Sequence, residues 1–89
     1  MTLNQKQEEL VNSLTNELET KFPEIKFVKI RPDIEIPNGV LLYFTEPENE
    51  DRLIALGEYA SDRTVDILLD YGFHITVMPV VRNGEPAVA

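Results

Sequence analysis

The amino-acid sequence predicts a small α+β domain in which two helices cover one face of a mixed sheet of about three strands. Two segments place apolar residues at the three- and four-residue spacing of an amphipathic helix. Three short segments are rich in β-branched and aromatic residues, as strands are. The resulting α-β-β-α-β order fits one domain over residues 1–81 of the 89-residue chain, and residues 82–89 are predicted to be a flexible tail.

The first helix is predicted from Thr2 to about Lys21. Thr2 and Gln5 have the spacing of a capping box at its start. Pro23 ends the helix, because the residue before a proline is driven toward extended geometry. The apolar stripe of this helix, which we expect to face the sheet, consists of Leu3, Leu10, Val11, Leu14, Leu18 and Phe22.

The segment Ile25–Ile36 is predicted to be extended and to form the first strand. Its apolar residues change parity partway along, which indicates a β-bulge or a strand with both faces partly covered. Pro32 has no N–H to donate and therefore belongs at a sheet edge or at a break. Pro37-Asn38-Gly39 is typical of a turn and predicts a hairpin to the next strand.

The second strand, Val40 to Thr45, is apolar at both parities, which is typical of a central strand covered on both faces. Two helices on one face leave alternate residues of this strand on the other face. Such an apolar surface is unfavourable in water, so we expect a second subunit or a partner protein to cover it. The predicted interface residues are Leu42, Tyr43 and Phe44, with Leu42 or Tyr43 pointing outward.

The second helix is predicted from Pro47 to Tyr71, with Thr45 and Glu48 at capping-box spacing. Ser61-Asp62 leaves open a division into two shorter helices. Gly57 and Ala60 are small enough to let the helix lie close to the sheet. Gly72 is a good left-handed stop, and the last strand follows over Phe73–Val81, parallel to the second strand.

The net charge of the chain argues against two classes of binding partner. Eight basic and 16 acidic residues give a net charge of −8, which argues against binding to nucleic acid or to an anionic membrane. The chain has no cysteine, and its N-terminus has no apolar signal core, so a cytoplasmic location is predicted. We predict no cofactor and no metal, and a homo-oligomer or a protein partner.

Two candidate sites each have a structural alternative, which we favour. Asp33 and Glu35 place two carboxylates at alternate positions of the predicted strand, as metal-dependent phosphoryl-transfer sites do, but a solvated edge strand has the same pattern. His74 is the single histidine, and a lone histidine needs carboxylate partners to bind a transition metal. We interpret it as a half-buried strand residue.

Part of the chain resembles the minimal nucleotidyltransferase domain. The resemblance rests on Asp70-Tyr71-Gly72-Phe73-His74-Ile75-Thr76-Val77-Met78-Pro79-Val80, on the preceding helix from Leu53, and on Phe22-Pro23-Glu24-Ile25-Lys26-Phe27-Val28. It implies a similar order of elements. The family's Gly-Ser loop has no counterpart between Ile25 and Gly39.

The metal-binding aspartates of that family are missing as well. They fall on Pro37 and Gly39, and a shift of the alignment that uses Asp33 and Glu35 instead breaks the strand at Pro37. The resemblance therefore implies at most a degenerate, non-catalytic relative. The sequence thus favours a non-enzymatic interaction module that dimerises or docks through its sheet. The alternative is a nucleotidyltransferase-like or phosphate-binding domain that uses Asp33 and Glu35 with Mg²⁺.

Overall fold

Within residues 2–80, two helices and three strands follow each other in the predicted α-β-β-α-β order. A computed structural model describes residues 2–80; the predicted domain end at Val81 and the predicted tail at 82–89 lie outside the described residues. The α+β fold class is confirmed. The elements are α1 Gln5–Lys21, β1 Phe27–Pro32, β2 Val40–Thr45, α2 Glu50–Tyr71 and β3 Ile75–Val80.

The sheet has the order β1-β2-β3. β1 runs antiparallel to β2, and β2 runs parallel to β3, as predicted for two strands joined by a long helix. The register of β1 shifts between Phe27 and Lys29, which confirms the predicted bulge. Pro32 is the last residue of β1, an edge strand, where its missing N–H costs no hydrogen bond in the sheet.

Both helices begin later than predicted, because asparagine side chains cap them. Asn4 caps α1, and its Oδ1 accepts a hydrogen bond from the backbone N–H of Gln7 at 2.8 Å. Asn49 caps α2 in the same way. Thr45 remains in β2, where its hydroxyl oxygen accepts from the N–H of Lys26 at 2.9 Å, so it is not available as a helix cap.

The C-terminal end of α2 is as predicted. The helix continues without a break through Ser61-Asp62 to Tyr71. Gly72 follows in the left-handed conformation, with φ of 68°, and its N–H donates to the carbonyl of Leu68. The predicted start of the last strand at Phe73 is wrong, because β3 begins at Ile75, after Phe73 and His74 have led the chain from the turn back to the sheet.

The prediction that the first strand extends to Ile36 is wrong, because β1 ends at Pro32 and a turn follows. Oδ1 of Asp33 accepts from the N–H groups of Glu35 and Ile36, at 2.9 and 3.3 Å. These bonds satisfy backbone groups locally, so they compete with a strand. Asn38 takes the positive φ of 64° that the tight return to β2 requires.

The core lies between the helices and one face of the sheet. Val40, Leu42 and Phe44 alternate along β2, and each is at most 1% exposed. They share one buried cluster with residues of both helices, which places the two helices on the same face of the sheet. The helical members of the cluster are Val11, Leu14 and Leu18 from α1, and Leu56, Ala60 and Ile67 from α2.

Candidate interaction surfaces

The face of the sheet opposite the helices carries alternate residues of all three strands. In the strand register, Lys29 lies beside Tyr43, and Tyr43 lies beside Met78. The Nζ of Lys29 is 5.2 Å from the centre of the Tyr43 ring, a cation–π contact on this face. We call this surface the open face and define it by Lys29, Arg31, Leu41, Tyr43, Thr76 and Met78.

Only one of the three predicted interface residues belongs to the open face. Leu42 and Phe44 point toward the helices and are 0% exposed, so they contribute to the core. Tyr43 is half-buried and lies on the middle strand, at the centre of the open face. Leu41, its neighbour on this face, was not predicted, because a strand that is apolar at both parities does not indicate which parity faces outward.

Asp33 and Glu35 do not form a pair of ligands on a strand. Asp33 uses one carboxylate oxygen to hold the turn after β1, and Glu35 is exposed within that turn. Within residues 2–80, no group of three or more His, Cys, Asp or Glu side chains is placed to hold a metal ion. The arrangement of these two residues is that of a turn.

A second surface is the groove between α2 and β3, with a volume of about 330 Å³. Its walls are mainly apolar, and its size is at the lower end of the range for ligand pockets. We call it the α2–β3 groove. The helix side is lined by Leu53, Leu56, Gly57, Ala60, Ser61, Thr64, Val65 and Leu68, and the strand side by Phe44 and by residues 74–79.

The groove exists partly because α2 has small residues where it passes β3. Gly57 is exposed, and a Cβ at this position would have no atom of another structural element within 4 Å. The prediction that Gly57 allows close packing against the sheet is therefore wrong, whereas Ala60 is buried at 4% exposure as expected. Small residues at three- and four-residue spacing, Gly57, Ala60, Ser61 and Thr64, were the signal in the sequence that could have indicated a groove.

His74 lies at the end of the groove where β3 begins. It is half-buried, as predicted. Its Nδ1 is the one buried side-chain nitrogen or oxygen among the described residues that has no hydrogen-bond partner. Such groups are uncommon in folded proteins. The main-chain carbonyl of the same residue accepts from the N–H of Val40 at 2.9 Å and starts the pairing of β3 with β2.

Hydrogen bonds and salt bridges connect the two helices on the face of the sheet that they cover. Arg63 of α2 donates to Glu17 of α1 at 3.1 Å, and the hydroxyl of Tyr59 donates to the same carboxylate. The Tyr59 hydrogen bond is the main reason that the pKa of Glu17 is lowered, and it raises the pKa of Tyr59 in turn. Arg52 binds both carboxylate oxygens of Glu24, at 2.7 and 3.0 Å. These pairs connect structural elements that are far apart in the chain.

The chain matches no protein-family model, no curated protein and no solved structure. Neither of the helices within residues 2–80 is both long and apolar enough to cross a membrane. The function is therefore inferred from the open face and the α2–β3 groove.

Proposed function

We propose that this protein is a non-enzymatic interaction module that dimerises through its open face. The observation that carries the proposal is the position of Tyr43 at the centre of that face, beside Leu41 and Met78. None of the helices in residues 2–80 covers these side chains, since both pack on the other side. A contiguous apolar surface of this kind is typical of a protein–protein interface.

A second copy of the chain fits this face for two physical reasons. β2 is the middle strand, so a two-fold axis parallel to the strands would bring Tyr43 of each copy together at the centre of the interface. The same axis would place β1 of one copy over β3 of the other. Lys29 and Arg31 would then lie opposite Thr76 and Met78 rather than opposite the same two cations.

The alternative of a nucleotidyltransferase-like or phosphate-binding domain stays a prediction. The turn that Asp33 holds supports a structural role for this carboxylate. No observation on the described residues favours phosphate binding over the interaction module. Millimolar nucleotide with Mg²⁺ would raise the melting temperature if the alternative were correct, because a ligand that prefers the native state stabilises it.

Light scattering over a range of concentrations tests the proposal. The wild type is expected to have the mass of a dimer, and Tyr43→Glu is expected to be a monomer, because the contact would bury two carboxylates close to each other at its centre. Tyr71→Glu is the matched control: Tyr71 is 52% exposed on α2 and lies outside the open face, so this variant should remain dimeric.

Circular dichroism of both variants separates loss of dimerisation from loss of folding. A wild type that is monomeric at every concentration would reject dimerisation. A folded Tyr43→Glu variant that remains a dimer would show that the copies associate through another surface. Either result would contradict the proposal.

A further inference from the structure

We infer that the α2–β3 groove binds a small, uncharged molecule with an apolar chain and a carboxamide group, which pairs with the backbone of Val77. This site lies beside the edge of the sheet and is separate from the open face. It therefore adds a ligand to the proposed interaction module and does not depend on the dimer.

The groove has the size and the surface of a site for a small apolar molecule. Its volume of about 330 Å³ is within the range of ligand pockets, whereas a stable protein partner needs a much larger contact. Val65 and Leu68 of α2 line the groove and are 47% and 37% exposed. A ligand that covers these two apolar side chains removes their surface from water, which is favourable.

The lining of the groove determines the charge of the ligand. Among residues 2–80, no Asp, Glu, Lys or Arg lines the groove. A charged group that entered it would lose water and gain no ionic partner, and such burial is unfavourable. The ligand that fits this lining is therefore uncharged.

The backbone of β3 offers hydrogen bonds at the side that faces away from β2. The carbonyls of His74 and Val80 accept from the N–H groups of Val40 and Glu46, both at 2.9 Å, so the even-numbered residues of β3 bond toward β2. Successive residues of a strand direct their backbone groups to opposite sides. Val77 therefore directs its N–H and its C=O to the free edge of β3, which no other strand within residues 2–80 occupies.

The groove reaches these backbone groups. Thr76 and Met78 belong to the open face, and yet both line the groove. Ile75 and Val77, whose side chains point to the other face, line it as well. Residues of both parities line one groove when it extends to the backbone at the edge of the strand. The N–H and C=O of Val77 are therefore accessible to a ligand in the groove.

A carboxamide matches the two groups that Val77 offers. The N–H needs an acceptor and the C=O needs a donor, and a carboxamide has both next to each other. One ligand group can therefore satisfy both. The free edge offers less to an added strand, because Pro79 has no N–H and the outward donors of β3 are those of Ile75 and Val77.

NMR of the full chain with four ligands of one chain length tests the inference. Hexanamide is the probe, and at millimolar concentration it is expected to shift the amide signal of Val77 and to slow its hydrogen exchange. Hexanoate and hexylammonium are charged and should bind at least about tenfold more weakly. N,N-dimethylhexanamide has no N–H to donate and should bind at least about threefold more weakly.

Hexylammonium is the most demanding of the comparisons. The net charge of −8 attracts a cation to the protein as a whole, so long-range attraction alone would make hexylammonium the strongest ligand. The uncharged lining of the groove predicts the opposite order, with hexanamide first.

A filled groove provides the matched test. Gly57→Leu places a side chain in the open space and should weaken the binding of hexanamide at least about tenfold, because the apolar chain of the ligand loses its place. The variant should fold, since leucine favours a helix more than glycine does. Asn12→Leu, which adds the same side chain at an exposed position of α1, is the control and should bind as the wild type does.

Several results would overturn the inference. No shift at Val77 with millimolar hexanamide would remove the site, and unchanged binding to Gly57→Leu would place the ligand elsewhere. Hexylammonium that binds as tightly as hexanamide would remove the uncharged ligand, and equal binding of N,N-dimethylhexanamide would remove the pairing with Val77. If an uncharged strand-forming peptide slowed exchange at Ile75 and Val77 while hexanamide did not, the occupant would be a strand of another protein. The dimerisation test would stand in every case.

Discussion

The two sides of β2 have nearly the same composition and different environments. Val40, Leu42 and Phe44 are enclosed by both helices and are almost completely buried. Leu41 and Tyr43, which alternate with them, lie on the open face and are half-buried. The apolar character of a strand therefore indicates how much surface needs covering, whereas the placement of the helices decides which half is covered within the chain.

The largest expected effect comes from truncating neighbouring leucines on the two sides. Leu42→Ala should lower the free energy of unfolding by about 2 to 5 kcal/mol, because it leaves a cavity in the core. Leu41→Ala removes the same atoms from the open face and should lower it by less than about 1 kcal/mol. Urea unfolding of both variants, at a concentration where the protein is monomeric, measures the difference. Equal losses would mean that the two sides are equally buried.

A change in the turn after β1 is expected to have an effect of intermediate size on stability. The turn helps to set the register of β1 against β2, and this register determines the face on which each residue lies. Asp33→Ala should lower the free energy of unfolding by about 1 to 2 kcal/mol, since two N–H groups lose their acceptor. Asp33→Asn keeps an acceptor oxygen and should remain close to wild type. Thermal or urea unfolding measures the stability of both variants. Glu35→Ala, at an exposed position, is the neutral control. If Glu35→Ala lowered the free energy of unfolding as much as Asp33→Ala does, the role of Asp33 in the turn would be contradicted.

The smallest effect is expected for the salt bridge between Glu17 of α1 and Arg63 of α2. Glu17→Gln should lower the free energy of unfolding at neutral pH by less than about 1 kcal/mol, because the side chains of Arg63 and Glu17 are 37% and 34% exposed and solvent screens their attraction.

The pH dependence has a definite sign. The pKa of Glu17 is lowered in the folded protein, so its contribution is present above the ordinary value of 4.5 and is lost as the pH falls through the lower folded value. The wild type and Glu17→Gln should therefore converge in stability as the pH falls below about 4.5. Urea unfolding at several pH values measures this, and a difference that persists unchanged in acid would exclude the contribution of the charge.

Much of the fold could be predicted because its signals are local. The helical spacing of α1, the stop at Gly72 and the bulge in β1 follow from the residues at those positions, and the structure has all three. The candidate site was less predictable. Leu42 and Phe44 were expected at an interface and lie in the core, and Asp33 was expected on a strand and holds a turn. None of the residues that line the groove was predicted to bind a ligand or a partner, apart from Phe44.

Local patterns in the sequence set the order of the elements, the ends that glycine and proline impose, and the presence of more apolar surface than one layer of helices covers. The tertiary structure alone decided which parity of β2 faces the helices, and that a space remains between α2 and β3. Alternation along a strand defines two faces but does not indicate which of them is buried. The width of the space depends on how α2 crosses the sheet, and this is set by contacts between residues far apart in the chain, such as Leu18, Phe44 and Leu56.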